Sequence, residues 1–240
     1  MKGLLGERTD GKRNPAAKKD SEAPSDLPDS FDAREEWPEC PSIRAIHDQS
    51  GCGSCWAVAA VEAMSDRLCI HSMGRTKVSL SAQDLLACCK ACGSGCEGGY
   101  SYLAWQYWAR SGIVTGGFQK GKGCRPYSFG PCQHHVEGPR LKCTPQPTPR
   151  CLRGCESGYE KSYERDKYYG QRPYTVLGTR QIMAEIMKNG PVGAGFYVYA
   201  DFLSYKSGRE YKNFARFFSN IFDFRRLSTR YRTSVRDARS

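Results

Sequence analysis

The clearest periodic stretch begins after Ser54. Ala57, Ala60, Val61, Met64 and Leu68 fall at i, i+3, i+4, i+7 and i+11, which predicts a helix from about Ser54 to Ile70 with one buried face. Its first turn carries Cys55. A second helix is expected over Ser81 to Ala87, where the Ser81 hydroxyl can cap and Leu85 and Leu86 point inward. Tyr102 to Arg110, with Trp105 and Trp108 three apart, reads as a third. Thr179 to Lys188 sets Ile182, Ile186 and Met187 on one side and stops at Asn189-Gly190-Pro191, a terminal glycine followed by a breaker. The period then changes to two. Val192, Ala194, Phe196 and Val198 alternate with Gly193, Gly195, Tyr197 and Tyr199, which is strand spacing. Helices first and strands later favour an α+β fold, with helical and sheet regions kept apart, over alternating βαβ units.

Outside these segments the pattern lapses. Residues 1–26 mix Lys, Glu, Asp, Ser, Pro and Ala, so a mobile leader is expected, with compact structure starting near Leu27-Pro28. Gly116 to about Tyr159 is rich in Gly, Pro and Cys and without periodicity, which predicts a functional loop made rigid by bridges among its five cysteines.

Composition narrows the function classes. The 240 residues, 39% of them apolar and 25% charged, suit one large domain or two small ones and argue against wholesale disorder. No run nears the roughly 18 apolar residues of a membrane span, and Met1 to Glu7 is too short and too soon charged for a signal peptide. The net charge is +11, but Arg209 to Ser240 carries nine basic and three acidic residues, so this tail alone supplies +6 and the rest +5. A nucleic-acid partner therefore finds little support. In the tail, Phe214, Phe217, Phe218, Ile221 and Phe222 recur at helical spacing beside Arg216, Arg225 and Arg226. A membrane contact there is set aside in favour of chance periodicity.

The 13 cysteines imply a disulfide framework made in an oxidising compartment. Their odd number leaves one thiol over. The decisive segment is Gln49-Ser50-Gly51-Cys52-Gly53-Ser54-Cys55-Trp56. A cysteine opening a helix meets backbone N–H groups and the positive end of the macrodipole, both of which favour thiolate. Flanking glycines allow close backbone approach, and the Gln49 amide, six residues earlier, can join the Cys55 backbone N–H as a second oxyanion donor. Two other readings of these cysteines are that Cys55 is half of a bridge, or that Cys52-x-x-Cys55 and Cys89-x-x-Cys92 hold zinc.

At these residues the chain resembles the papain family of cysteine peptidases, and within it is most similar to the cathepsin B group. Leu27-Pro28-Asp29-Ser30-Phe31-Asp32-Ala33-Arg34 is similar to the group's mature start, and Cys124-Arg125-Pro126-Tyr127 through Cys132-Gln133-His134-His135 to its occluding loop. Cys96-Glu97-Gly98-Gly99 is similar to the glycine wall on which a substrate lays its backbone. The likeness runs from about Leu27 to Gly208.

The resemblance implies a papain-like fold, a helical left domain with an incomplete β-barrel right domain. It divides the chain into a leader or propeptide remnant (1–26), a helical domain with nucleophile and loop (27–165, the loop about 124–143), the start of a barrel (166–208) and a divergent tail (209–240). It implies Cys55 as nucleophile, Gln49 as oxyanion donor, Gly98 and Gly99 as substrate-binding residues, and His134 and His135 as a clamp for a substrate's C-terminal carboxylate, giving endopeptidase and dipeptide-trimming activity. Bridges Cys40–Cys69, Cys52–Cys96, Cys88–Cys151, Cys89–Cys92, Cys124–Cys155 and Cys132–Cys143 are implied, with Cys55 left over. So are peptide or protein substrates, a propeptide or protein inhibitors as partners, a lysosomal or extracellular location, and no cofactor or metal.

The sequence also departs from the family. A cysteine nucleophile needs a base, and the base an orienting group. The family's Gly-Gly-His-Ala and Asn-Ser-Trp segments have no counterpart: no histidine follows His135 and no tryptophan follows Trp108. The likeness stops at Tyr205-Lys206-Ser207-Gly208, so the C-terminal third reads as lost or replaced. With only a helix end to lower its pKa, by ~0.3 to 1 kcal/mol, Cys55 is expected to be mostly thiol and the chain to have little or no activity. Rescue by His134 or His135 as base is one alternative. A non-catalytic peptide-binding module is another.

Overall fold

The computed structural model describes residues 6–8, 25–119, 121–134 and 138–195. Five α-helices follow in order: α1 (Ala33–Glu36), α2 (Cys55–His71), α3 (Ala82–Cys88), α4 (Ser101–Ser111) and α5 (Thr179–Asn189). α4 and α3 pack directly against α2 and α5 lies near its C-terminal end, while α1 meets the short 3-10 turn Pro41–Arg44, which itself packs on α2. That arrangement explains one difference from the periodic reading. α2 buries not a single face but most of its circumference, including the polar Glu62, Ser65 and Asp66. A helix enclosed by neighbours has no face left for solvent, and its small residues Ala57, Ala60 and Ala63 let those neighbours approach.

Trp56, Val61, Met64, Leu80, Leu85 and Ile113 form the centre of the main core. Each large apolar side chain taken out of water there contributes about 1.5–3 kcal/mol. The Ser81 hydroxyl accepts the Asp84 N–H at 2.9 Å and so caps α3. α5 ends at Gly190, whose φ of +92° only glycine adopts readily, and whose N–H donates to the Ile186 carbonyl at 2.9 Å.

Six disulfides tie this frame: Cys40–Cys69, Cys52–Cys96, Cys88–Cys151, Cys89–Cys92, Cys124–Cys155 and Cys132–Cys143. The long loop after Gly116 depends on them. Its described residues form no regular secondary structure beyond isolated bridges, and three of its cysteines reach into the helical core or across the loop.

Among the described residues there is no sheet, only isolated β-bridges. Val192 to Gly195 has no strand partner, and Phe196 to Tyr199 lies outside the described residues, as do the rest of the expected barrel segment and the tail from Arg209. No described helix is long and apolar enough to cross a membrane.

One expectation fails outright. Residues 6–8 of the leader are not apart from the fold: Gly6, Glu7 and Arg8 pack against the body of the protein, well before Leu27. Their attachment uses main-chain hydrogen bonds and one buried carboxylate rather than apolar side chains, so no hydrophobic pattern announces it.

Candidate active site

Gln49 to Ser54 folds into a tight turn that delivers the chain into α2. Asp48 accepts the Ser50 N–H at 2.7 Å, which supports the positive φ of Ser50, 59°. Tyr127, from the long loop, fixes the turn from outside. Its hydroxyl donates to the Gln49 carbonyl at 2.9 Å and lies 2.7 Å from Ser54 Oγ. Burial pushes the Tyr127 phenol well above its usual range, so it stays neutral and keeps that donor. The turn is then anchored to the glycine wall by the Cys52–Cys96 disulfide, by the Gly53 N–H donating to the Cys96 carbonyl at 3.0 Å, and by the Trp56 indole N–H donating to the Gly95 carbonyl at 3.0 Å.

Cys55 is the free cysteine of the described residues and is only partly buried. It opens α2, where helix-end N–H groups are unspent. The expected lowering of its pKa is not what results. Burial pushes the thiol up and the nearby Glu7 carboxylate adds to this, outweighing hydrogen bonds from the Gly6, Glu7 and Trp56 backbone that favour thiolate. Macrodipole assistance is worth a fraction of a kcal/mol to about 1 kcal/mol and loses to desolvation here.

What covers the sulfur is the leader. The Gly6 N–H donates to Cys55 Sγ at 3.2 Å. On either side, Gly99 N–H donates to the Gly6 carbonyl at 2.7 Å and Arg8 N–H to the Gly99 carbonyl at 2.8 Å, a parallel bridge centred on Glu7 and Gly99. The Arg8 guanidinium reaches the Glu97 carbonyl at 2.9 Å. Glu7 ends at the start of α4, where its carboxylate accepts the Ser101 N–H at 3.2 Å and the Ser101 hydroxyl. This supplies the cap that Tyr100 does not provide. Burial raises the Glu7 pKa against the opposing effect of those Ser101 bonds. Fit is close throughout: a Cβ on Gly6 would sit 1.9 Å from the Gly53 carbonyl oxygen, and one on Gly99 2.6 Å from the Trp56 ring. Among its described residues the leader thus presents the Gly6 N–H to Cys55 Sγ.

The other expected site residues are spread around this centre. Gln49 is buried, and its amide donates to the Cys52 carbonyl at 2.9 Å. Gly98, at φ +99°, and Gly99 form the surface under the leader. His134 Nε2 lies 2.8 Å from Asp48 Oδ1, both side chains 7% exposed, and Arg140 approaches the same carboxylate at 3.7 Å. His135 lies outside the described residues. His47 pairs with Glu62 at 2.6 Å and stacks on Phe118. His71 closes α2, about 24 Å along the helix from Cys55 at its ordinary rise. Neither pair proposed as a zinc site offers two thiolates, since Cys52 is bonded to Cys96 and Cys89 to Cys92.

Three contributors were not legible beforehand. Glu7 and Gly6 stand in a polar stretch with no motif, and Asp48 carries no signal beyond preceding Ser50 by two residues.

Comparison with known proteins agrees with this geometry. The description "Papain family cysteine protease" matches residues 27–219. A cathepsin B-like cysteine proteinase of Schistosoma japonicum is 50% identical over 187 residues, covering 76% of this chain and 55% of the relative. Cathepsin B-like cysteine proteinase 6 of Caenorhabditis elegans is 50% identical over 189 residues, covering 76% and 50%. The chain therefore spans about half the length of the curated relatives it matches. Among solved structures, proCathepsin B S9 from Trypanosoma congolense superposes with a TM-score of 0.71 at 36% identity, covering 87% of this chain and 65% of that one. With a papain-like fold, a free cysteine at a helix start and this span of matching sequence, the chain belongs to the papain family of cysteine peptidases, and the relatives that share half its residues are cathepsin B-like.

Proposed function

We propose that this chain carries the nucleophile-bearing part of a cathepsin B-like peptidase that hydrolyses peptide bonds, held in a zymogen-like, self-covered state. Cys55 is the nucleophile, Gln49 and the Cys55 backbone N–H are the oxyanion donors, and Gly98 and Gly99 receive the substrate backbone. The loop from about 124 to 143 closes one end, with His134 and His135 as carboxylate clamp. The observation that carries the reading is the free Cys55 thiol at the head of α2, hydrogen-bonded by an extended peptide that lies along Gly99. Six disulfides point to synthesis on the secretory route, toward a lysosomal or extracellular site.

The chain as it stands has negligible turnover. Acyl transfer from cysteine needs an imidazole to take and return a proton. No histidine follows His135 in the sequence, and the contacts of His47 and His134 are with Glu62 and Asp48 rather than with Cys55, whose sulfur takes the Gly6 N–H. Losses of roughly 10⁴ to 10⁶ in kcat accompany removal of such partners. The seating of residues 6–8 along Gly99 favours a second reading, a peptide-binding module without catalysis.

A fluorogenic dipeptide substrate and a thiol-directed epoxide separate the two. Labelling of Cys55 with no measurable hydrolysis, and competition by peptides, is the expected result. Hydrolysis abolished by changing His134 and His135 to alanine would instead establish a rescuing base. An unlabelled Cys55, found bridged by mass mapping, would end the peptidase reading.

A further inference from the structure

We infer that the base of the long loop is a thiol-gated Zn²⁺ site, formed by Cys132, Cys143 and His134 when the Cys132–Cys143 bridge is reduced. One ligand atom from each of the three residues lies within 4.8 Å of the others. Tetrahedral zinc holds sulfur at about 2.3 Å and imidazole nitrogen at about 2.0 Å, so its donors stand roughly 3.5 Å apart. After reduction the two sulfurs have to part by roughly 1.5 Å, and the imidazole nitrogen has to close by up to about an ångström. Two thiolates and one neutral imidazole are a donor set zinc takes readily, with the fourth position left to water.

The bridge is not alone in holding this part of the loop. Gln133 N–H donates to the Leu141 carbonyl at 2.7 Å and Cys143 N–H to the Gln133 carbonyl at 3.0 Å, so the two cysteine-bearing segments stay paired through their backbones. Asp48 adds a second anchor. Its Oδ2 accepts the Cys132 N–H at 3.3 Å and its Oδ1 holds His134 Nε2 at 2.8 Å. A carboxylate on one ring nitrogen is the usual companion of a metal-bound histidine, because it fixes the tautomer and the orientation of the ring. The Ser50 hydroxyl, 3.6 Å from the Cys132 sulfur, is placed to donate to a thiolate.

The chemistry balances with a monothiol as reductant. Two monothiol molecules supply two electrons and two protons to the S–S bond and leave as their own disulfide, and two cysteine thiols are released. Zn²⁺ then displaces two protons to solvent as it binds both sulfurs. The consequence is that the loop keeps a cross-link at its base under reducing conditions, now dependent on metal rather than on covalent sulfur.

The test uses the full chain. Cys55 is first blocked with iodoacetamide while the bridges are intact, then the protein is titrated with reduced glutathione, the opened pairs are assigned by mass mapping, and Zn²⁺ uptake is measured by dialysis against zinc chloride. Co²⁺ in place of Zn²⁺ reports thiolate ligation by its charge-transfer absorption. Opening of Cys132–Cys143 should add about one Zn²⁺ per chain over the oxidised protein, and the C132S/C143S double variant, treated alike, should lack that increment. H134A, which keeps both sulfurs, should bind at least about tenfold more weakly, and D48N about 10- to 100-fold more weakly. Circular dichroism of each oxidised variant checks that the fold is kept. Equal uptake by the double variant, no uptake once both thiols are mapped as free, or a bridge that glutathione never opens would each overturn the inference.

Discussion

Gly6 and Cys55, forty-nine residues apart in sequence, meet at 3.2 Å with a backbone N–H on the thiol sulfur. A Cβ at Gly6 would lie 1.9 Å from the Gly53 carbonyl oxygen, a distance no side chain tolerates against rigid backbone. Gly6→Ala should therefore lift the leader off the nucleophile. Burial holds the Cys55 thiol above its ordinary value of 9.0, so the neutral thiol favours the covered state, fully so below 9.0, and that advantage is lost as pH rises through the raised value. The pH profile of iodoacetamide alkylation should accordingly have its midpoint above 9.0 in the intact chain. G6A should react faster and with a lower midpoint. Superimposable profiles would show that residues 6–8 do not cover the sulfur in solution.

Glu7 is the second fastening. Its carboxylate caps α4 through the Ser101 N–H and hydroxyl, and loss of a cap costs about 1 kcal/mol, roughly fivefold in exposure of Cys55. Glu7→Ala should raise the rate of reaction with a pyridyl disulfide, which works in acid, by about that factor. The sign of the pH effect follows from the raised Glu7 pKa: docking is helped by the neutral acid below 4.5, and that help fades as pH rises through the raised value. Glu7→Gln should flatten this dependence. A variant that still tracks pH as the parent does would assign the effect to another group.

A third expectation concerns stability. Asp84 is 1% exposed, and burial raises its pKa against the Tyr163 hydroxyl, which donates to Oδ1 at 2.7 Å. Charging this carboxylate on folding is unfavourable, so its contribution is greatest below the ordinary value of 3.8 and declines as pH rises through the raised one. Asp84→Asn, which still accepts from Tyr163, should gain on the parent at neutral pH and lose that advantage in acid. Tyr163→Phe should cost about 1–3 kcal/mol at neutral pH by stripping a buried acceptor. Urea unfolding at several pH values measures both, and an N-variant whose difference from the parent ignores pH would show Asp84 to be silent.

The loop's dependence on its bridges can be weighed with Cys88–Cys151, which spans 63 residues and joins the end of α3 to the loop. Replacing both by serine should lower stability by roughly 4 kcal/mol if unfolded-chain entropy dominates. A loss under about 1 kcal/mol in denaturant unfolding would mean that the loop is held by its packing and hydrogen bonds.

Much of the helical frame was legible because amphipathic spacing is a local property. Ser81, Gly190 and the Ala57–Met64 stripe each carry their own signal, and the Cys-Gly-Ser-Cys-Trp turn points to Cys55. The six cysteine pairings were available only through family resemblance, since spacing alone leaves a great many connectivities. Main-chain attachment of Gly6 to Arg8 leaves no trace in side-chain pattern, so the leader read as detached. The Cys55 pKa was misjudged for the same reason: helix position is visible in sequence, whereas desolvation by a segment forty-nine residues away is not.

If Cys55 and Gly98 act as proposed, the strut between Cys52 and Cys96 ties attack to recognition, because it joins the residue three places before Cys55 to the one two places before Gly98. A reagent that severed it would blur the aim of the sulfur and the shape of the substrate shelf together. Potency of an active-site label and affinity of a non-covalent peptide ought then to decay in step, and neither could be tuned by selection without carrying the other along.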